Sequence, residues 1–313
     1  MSGRLCGVDD ERARASQESF ALVGRITLKT EVPVDSSCAV TLGVYEKALP
    51  ETMTWPERLA AAGLAGFAFV EISIDESEQR LARLDWSAEQ RAALREAVAG
   101  SGVRLTSMCL SAHRKYPMGS RSAVIRQRGL DLMKKAIEFA QDVGIRIVLV
   151  PGYDVFYEPS TPQTQARFLD GLRQAVTWAS TAGVMLAIEN TDHFVTSIRQ
   201  ALWYVRQVNS PWLQLYGDVG NLVAMEFDVL GELEAGAGHL VGIHLKDAIP
   251  GRFRGVPFGT GQVPFRHVLH KLRQIDFRGP ILFEITAEHE ANAVQAITDA
   301  RDWVQARLDD SLQ

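Results

Sequence analysis

The feature that most constrains the fold is an alternation of short apolar runs with longer amphipathic segments, sustained from residue 41 onwards. Apolar runs rich in β-branched residues predict buried β-strands, and the amphipathic segments between them predict helices. Strict alternation of the two favours parallel strands joined by right-handed crossovers. The eight runs span residues 42–47, 67–73, 103–111, 145–152, 184–190, 212–218, 240–247 and 280–286.

Several of the amphipathic segments also carry the residue types that begin and end helices. Ser87 and Gln90 have the S-x-x-Q spacing of a capping box, and Gly102 stands where the same helix should stop. Thr54 is a capping candidate for the first helix, and Gly144 closes a long amphipathic stretch. The segments between the apolar runs are therefore predicted to be helices.

Eight strand–helix units fit a closed barrel or an open doubly wound sheet. No glycine-rich dinucleotide-binding turn follows the first run, which favours the barrel. We predict an α/β fold, a single (β/α)8 TIM barrel over residues 41–313. Residues 1–40 show no sustained periodicity. We expect them to form a disordered N-terminal extension, because disorder concentrates at chain ends.

Composition and charge narrow the possible partners. The chain of 313 residues has a formal net charge of −5, which argues against a nucleic-acid binder, since such proteins need a basic face. No stretch reaches the roughly 18 to 20 apolar residues of a membrane span, and the N-terminus lacks the apolar core of a signal peptide. Three scattered cysteines fit a reducing compartment. We therefore expect a cytoplasmic protein that binds neither nucleic acid nor membrane.

The last four runs end in side chains that can bind metals, at the strand ends where barrel enzymes carry their working groups. These residues are Glu189, Asp218, His244 and Glu284. A charge that follows apolar strand residues is costly to bury unless it is paired or bound to metal. Each residue alone would be read as a rim ion pair or a core histidine. Four in consecutive strands predict a site for one divalent metal ion, namely Mn²⁺, Zn²⁺, Co²⁺ or Mg²⁺.

Long stretches after residue 40 carry a family resemblance. They include LGVYEKALP (42–50), SMCLSAHRKYPMGS (107–120), YGDVGNL (216–222) and GVPFGTG (255–261). These stretches resemble the L-ribulose-5-phosphate 3-epimerases, also described as L-xylulose-5-phosphate 3-epimerases or hexulose-6-phosphate isomerases, of the xylose-isomerase-like barrel superfamily. The resemblance implies a metal-dependent epimerase that interconverts pentulose 5-phosphates, a phosphorylated ketose as its small-molecule partner, and the same four metal ligands.

The resemblance also implies that Glu189 and Glu284 are catalytic, as an acid/base pair. Epimerisation at C3 removes a proton from the carbon beside the C2 carbonyl and returns a proton to the opposite face. A metal ion would stabilise the cis-enediolate that forms between these steps. Two carboxylates on opposite sides of the sugar avoid any need to turn that intermediate over.

Phosphate contacts are expected after the seventh run. The segment 248–265 holds Arg252 and Arg254 together with Gly259 and Gly261. Barrels often bind phosphate in the loops after strands seven and eight, through backbone N–H groups and a cation. Composition alone would favour a flexible surface loop. The resemblance of GVPFGTG favours the phosphate interpretation.

Further substrate contacts are expected from polar residues that follow other runs. His113 is a candidate partner for sugar hydroxyls, although spacing alone fits a loop histidine without a role nearly as well. Arg114 adds a cationic group beside it. Asn221 and Lys246 follow Asp218 and His244, and Lys246 can orient ligands or lower carboxylate pKa values.

Alternative functions remain open at this point. An aldose–ketose isomerase or a 3-epimerase of free ketoses would need the same ligands, so the ligands cannot separate these activities. A metal-dependent endonuclease of the same superfamily would need several more histidines at strand ends than the seven histidines of this chain provide. A non-catalytic binding protein would have a degenerate ligand set. We also expect a homo-oligomer, specifically a dimer.

Overall fold

The computed structural model describes residues 41–286 and 292–310, and each predicted apolar run within them contains one β-strand. The predicted N-terminal extension, residues 1–40, lies outside the described residues. The strands are β1 (Leu42–Tyr45), β2 (Phe69–Ser73), β3 (Arg104–Cys109), β4 (Ile147–Pro151), β5 (Met185–Glu189), β6 (Leu213–Asp218), β7 (Leu240–Leu245) and β8 (Ile281–Phe283).

Helices occupy the connections between strands. Ser87 and Gln90 form the predicted capping box, with the Ser87 amide donating to Gln90 Oε1 at 2.9 Å and the Gln90 amide donating to Ser87 Oγ at 3.3 Å. Gly102 follows that helix with φ of 72°, a conformation that glycine adopts without strain. The α-helices are α1 (Trp55–Leu64), α2 (Glu78–Leu81), α3 (Ala88–Ser101), α4 (Ala123–Val143), α5 (Pro162–Ala182), α6 (Ile198–Val208), α7 (Val219–Ala224), α8 (Val229–Ala235), α9 (Phe265–Gln274) and α10 (Ala293–Asp310), with 3₁₀ turns at Glu46–Ala48, Ala82–Asp85 and Ser111–Arg114.

The strands form one closed parallel barrel in chain order. Every strand pairs with its sequence neighbours, and β1 closes the ring by pairing with β8. The predicted (β/α)8 barrel is therefore confirmed, and the open doubly wound sheet is excluded. None of the helices that the structure describes is long and apolar enough to cross a membrane.

Alternate strand residues fill the inside of the barrel. Ala187, Tyr216 and Leu282 belong to a small apolar cluster separate from the larger core that includes the helices. Gly242 on β7 leaves room for the Tyr216 ring, since a Cβ there would lie 2.4 Å from it. Because strand side chains alternate between faces, the residues two positions further along must point inward one layer higher. On β5, β6 and β7 and just after β8, those positions hold Glu189, Asp218, His244 and Glu284.

Candidate active site and metal centre

The four predicted metal ligands meet at the C-terminal mouth of the barrel. One ligand atom from each of these four residues can be chosen such that all the atoms lie within 4.8 Å of one another. The strand register brings two of these residues side by side, because Asp218 and His244 are paired across β6 and β7. The backbone of Glu284 continues the β8 ladder beyond the strand, its amide donating to the Leu245 carbonyl at 3.1 Å. We call Glu189, Asp218, His244 and Glu284 the ligand cluster.

The His244 ring is oriented by a carboxylate outside the ligand cluster. Its Nε2 lies 3.0 Å from Glu71 Oε1, and the Ser107 hydroxyl donates to Glu71 Oε2 at 2.6 Å. The other ring nitrogen, Nδ1, faces the ligand cluster and lies 2.7 Å from Glu189 Oε1. Metal-binding histidines commonly use their second nitrogen to bond a carboxylate in this way. The geometry presents Nδ1 to whatever the cluster binds.

Lys246 supplies positive charge beside the cluster. Its Nζ lies 2.7 Å from Asp218 Oδ2 and 2.6 Å from Glu284 Oε2. Burial raises the pKa of Asp218 to about 7. Repulsion from Glu284 and Glu189 acts in the same direction, and attraction to Lys246 and His244 offsets only part of the rise. Burial also opposes ionisation of Glu284, yet Lys246 and His244 hold the pKa of that carboxyl well below its usual range. Lys246 therefore favours the carboxylate form of Glu284, and a bound cation would lower the pKa of Asp218 in the same way.

Two asparagines fix the position of Asp218. The Asn190 side chain accepts from the Asp218 amide at 2.8 Å and donates to the Asp218 carbonyl at 2.9 Å. Asn221 donates its amide to Asp218 Oδ1 at 2.8 Å and its side-chain nitrogen to the Asn190 carbonyl at 2.9 Å. Asn221 begins α7 together with its neighbours, so the carboxylate is held at the start of a helix. These bonds tie β5 to β6 beneath the site.

The donor set fits a divalent cation. Within the described residues, the cationic side chains within 4.0 Å of the three carboxylates of the ligand cluster are those of Lys246 and His244, so carboxylates outnumber the cations in contact with them. Carboxylate oxygens and an imidazole nitrogen are hard to intermediate ligands that suit Mn²⁺, Mg²⁺, Co²⁺ or Zn²⁺. A bound dication would offset the charge that burial makes costly.

A cavity of about 140 Å³ opens above the ligand cluster. That volume is close to the roughly 150 Å³ of a protein cavity known to hold a benzene-sized molecule. Glu189, His244 and Glu284 line the cavity, whereas Asp218 lies behind them and is fully buried. A small ligand in the cavity can therefore touch two of the three carboxylates.

The predicted sugar contacts divide into residues at the cavity and one residue elsewhere. Asn221 and Lys246 line the cavity. His113 does not line it: the ring is buried, with Nε2 3.1 Å from the Gly129 carbonyl, and burial lowers its pKa to about 4. Its neighbour Arg114 lines the cavity instead. The 3₁₀ turn after β3 directs the arginine to the mouth and the histidine into the protein.

The loop after β7 uses most of its predicted phosphate donors internally. The amides of Gly259 and Gly261 both donate to Asp247 Oδ2 at 2.8 Å, so they are not available to a phosphate. The Arg252 guanidinium donates to the carbonyls of Arg254 and Gly255, which closes the loop on itself. Arg252 does not line the cavity, but Arg254 does.

Sequence reasoning missed the partners that support the cluster. Glu71 follows the inward-facing Phe69 by two positions in an apolar strand, and this spacing predicts that it points to the mouth, although its bond to His244 is not evident from the sequence. The role of Asn190 had no such signal, because its partners lie 28 and 31 residues away along the chain.

Comparison with known proteins places the chain in a family. Residues 59–307 match the family of xylose isomerase-like TIM barrels. The L-ribulose-5-phosphate 3-epimerases UlaE of Salmonella typhimurium and Salmonella paratyphi A are each 52% identical over 270 residues, which cover 86% of this chain and 95% of the relative. The chain belongs to the L-ribulose-5-phosphate 3-epimerase family. The resemblance inferred from its motifs is thereby confirmed.

Solved structures of more distant epimerases share the barrel. An L-ribulose 3-epimerase superposes with a TM-score of 0.74 at 18% identity, and the match covers 86% of the present chain and 95% of the L-ribulose 3-epimerase. A D-psicose 3-epimerase, determined in the presence of D-fructose, gives 0.73 at 15% identity, covering 86% and 99%. At these identities the likeness establishes the common fold alone.

Proposed function

We propose that this chain is a metal-dependent 3-epimerase that interconverts L-ribulose 5-phosphate and L-xylulose 5-phosphate. The high identity to relatives named for this activity supports the substrate class. The convergence of the ligand cluster supports one divalent metal ion held by Glu189, Asp218, His244 and Glu284. When bound, such an ion supplies positive charge that stabilises negative charge on the sugar oxygens as a carbon-bound proton leaves.

The acid/base assignment rests on which of the three carboxylates line the cavity. Glu189 comes from β5 and Glu284 follows β8, and both line the cavity, whereas Asp218 is shielded behind them. Two strands separate β5 from β8 around the ring, so these carboxylates approach a bound ligand from different directions. Two groups so placed can serve opposite faces of one carbon.

The proton transfer then balances within the site. One glutamate, as carboxylate, takes the C3 proton, and the electron pair of the C–H bond is delocalised towards the C2 carbonyl oxygen. The other glutamate, as carboxylic acid, gives a proton to the opposite face of C3. After turnover the two side chains have exchanged protonation states, and solvent exchange resets them. Which glutamate acts first depends on which epimer is bound.

Supporting residues hold this pair in place. The Glu189 carboxylate contacts His244 Nδ1, whose ring is oriented by Glu71. The Glu284 carboxylate contacts Lys246 Nζ. Each catalytic carboxylate is therefore fixed by a polar partner on β7 or directly after it. Asn221, Lys246 and Arg254 line the cavity and are proposed to contact the sugar.

The test is turnover of L-ribulose 5-phosphate in D₂O, followed by nuclear magnetic resonance. We expect L-xylulose 5-phosphate with deuterium at C3, loss of activity on exhaustive chelation, and recovery on addition of Mn²⁺ or Co²⁺. Deuterium at C1 together with an aldose product would instead indicate the aldose–ketose isomerase. Full activity of the metal-free protein would refute the role of the metal.

A further inference from the structure

Asp247 is a buried carboxylate whose partners are backbone amides. It follows β7 and is 2% exposed. Its Oδ2 accepts from the amides of Gly259 and Gly261 at 2.8 Å each, and its Oδ1 accepts from the amides of Val263 at 3.3 Å and Ala248 at 2.9 Å. Backbone N–H groups that converge in this way form a concavity that binds anions. In this chain the bound anion is the Asp247 side chain itself.

These bonds fold the loop after β7, residues 248–264, back onto its own start. Gly261 lies so close that a Cβ on it would be 2.2 Å from Asp247 Oδ1. In the middle of the loop, the Phe258 ring stacks on the Phe283 ring of β8, with the ring centres 5.3 Å apart. The loop is therefore fixed to the barrel near its middle as well as at its ends.

The loop held in this way forms one wall of the active-site cavity. Phe253 and Arg254 line the cavity, as does Glu284. The Arg252 guanidinium donates to the Arg254 carbonyl at 3.2 Å, so the bend that carries the two cavity side chains is braced from within the loop. The position of that bend over the cavity then depends on the ends of the loop, and Asp247 holds the end that returns to α9.

Two consecutive residues thus act on two different parts of the site. Lys246 Nζ bonds Asp218 and Glu284 in the ligand cluster, whereas Asp247 bonds the amides of the loop. Neighbouring residues of an extended strand point to opposite faces, and this alternation continues just past the end of β7. The lysine therefore points into the mouth and the aspartate points to the loop.

We infer that Asp247 is a positioning residue for substrate binding, which acts through the loop amides to hold Phe253 and Arg254 at the cavity. This inference rests on the proposed function. It assigns the glycine-rich loop a part in shaping the cavity, while the two glycine amides are committed to Asp247. Bonds from N–H groups to a carboxylate are roughly twice as strong as neutral ones, so one substitution at Asp247 should release the loop.

The first test separates substrate binding from catalysis. Asp247→Asn keeps the size of the side chain but replaces one acceptor oxygen with an N–H donor that faces backbone N–H groups. We expect KM for L-ribulose 5-phosphate to rise about 10- to 100-fold and kcat to fall less than about threefold, the pattern of an interaction lost equally from ground and transition states. Gly261→Ala, which displaces the same carboxylate, should raise KM as well.

Glu232→Gln is the matched control. Glu232 is 3% exposed, accepts from the Arg199 amide at 2.9 Å and does not line the cavity. This bond ties α6 to α8, so its loss should lower the melting temperature and leave KM unchanged. The control separates a general loss of stability from a displaced cavity wall.

A second measurement follows the loop without any substrate. Trypsin cleaves after arginine, and Arg252 and Arg254 are exposed in the loop. Cleavage at these two sites, identified by mass spectrometry, should be about tenfold faster or more in Asp247→Asn than in the wild type, because local opening exposes the backbone to the protease. Glu232→Gln should be cleaved at these sites at the wild-type rate.

Four results would overturn the inference. They are a wild-type KM in folded Asp247→Asn, a fall of kcat with KM unchanged, unaltered cleavage at Arg252 and Arg254, and an equal rise of KM in Glu232→Gln. A wild-type protein that epimerises no pentulose phosphate would refute the proposed function, and the trypsin result would still show whether Asp247 holds the loop.

Discussion

Two buried charge clusters lie at the same end of the barrel, and they are built in opposite ways. Around Glu46, after β1, arginines outnumber the central carboxylate. Glu46 accepts from Arg80 Nε at 3.2 Å, from Arg83 at 2.7 and 2.8 Å, and from the Ser73 amide at 3.0 Å. In the ligand cluster, carboxylates outnumber cations and face a cavity. We call Glu46, Arg58, Arg80 and Arg83 the arginine cluster.

The difference separates a structural role from a functional one. Protein groups satisfy the oxygens of Glu46, so removal of its charge leaves the buried guanidinium groups around it without their central counter-charge. In the ligand cluster, carboxylates outnumber the cations that contact them among the described residues, which leaves negative charge for a ligand to neutralise. Buried charge of one sign lowers the stability of the folded state, and functional sites commonly carry such a cost. The two clusters should therefore respond in opposite directions to loss of a carboxylate.

The largest expected effect is on catalysis. Glu189→Gln and Glu284→Gln should each lower kcat by about 100- to 10,000-fold, because each removes one member of the proposed acid/base pair. The melting temperature of metal-free Asp218→Asn should not fall, since burial and the neighbouring carboxylates raise the pKa of Asp218 and a neutral amide there relieves both effects. Steady-state assays and thermal melts measure both quantities. Wild-type turnover in either variant would remove that residue from the pair.

The arginine cluster should lose stability and keep activity. Glu46→Gln is expected to lower the free energy of unfolding by about 3 to 5 kcal/mol, the usual cost of breaking a buried ion pair. The measurement is urea denaturation, with kcat of the folded variant as a second readout. Glu234→Gln is the matched control, because the Glu234–Lys271 pair is exposed and should contribute less than about 1 kcal/mol. Equal losses in both variants would contradict the comparison.

Added metal should stabilise the folded protein through the ligand cluster and not through the arginine cluster. Chelated protein given Mn²⁺ at 100 times its dissociation constant should gain about 2.7 kcal/mol of stability, because the ion binds only the folded chain. The rise in melting temperature should disappear in Asp218→Asn and persist in Glu46→Gln. A rise of the same size in Asp218→Asn would show that the ion binds elsewhere.

The smallest effect concerns the residue that orients His244. Glu71→Gln keeps the size of the side chain but removes the charge opposite Nε2, and should weaken Mn²⁺ binding by about 10- to 100-fold. Glu76→Gln, at an exposed carboxylate bonded to Tyr157, is the control and should not change metal affinity. Titration calorimetry measures both. Unaltered affinity in Glu71→Gln would leave the Glu71–His244 bond without a part in metal binding.

Strand-end reasoning predicted that the four residues of the ligand cluster converge, because one rule placed all of them, and their role as metal ligands stays a prediction. Each follows an inward-facing apolar residue by two positions, so strand periodicity alone directs it into the mouth. The same rule directs Glu71, two positions after Phe69, into the mouth. Loop residues obey no such period. His113 and Arg114 are neighbours of similar type, and only the 3₁₀ turn decides that the arginine reaches the cavity.

The loop after β7 shows a second limit of sequence reasoning. Its glycines and arginines have the composition of a phosphate site, yet Asp247 takes the two amides and loop carbonyls take Arg252. Composition identifies donors but not the acceptors that compete for them. The Asp247 carboxylate, 12 residues before Gly259 and 14 before Gly261, lies within hydrogen-bond distance of both amides.

The sequence by itself determined the barrel and the inward direction of the four predicted ligands, because both follow from local periodicity and from the rule that parallel strands end together. Only the tertiary structure decided which charges are neutralised within the protein and which are left for a ligand. That outcome depends on distances between residues far apart in the chain, such as Glu46 and Arg83 or Glu71 and His244. Electrostatic energy follows those distances and the burial around them, and neither is encoded in a local pattern.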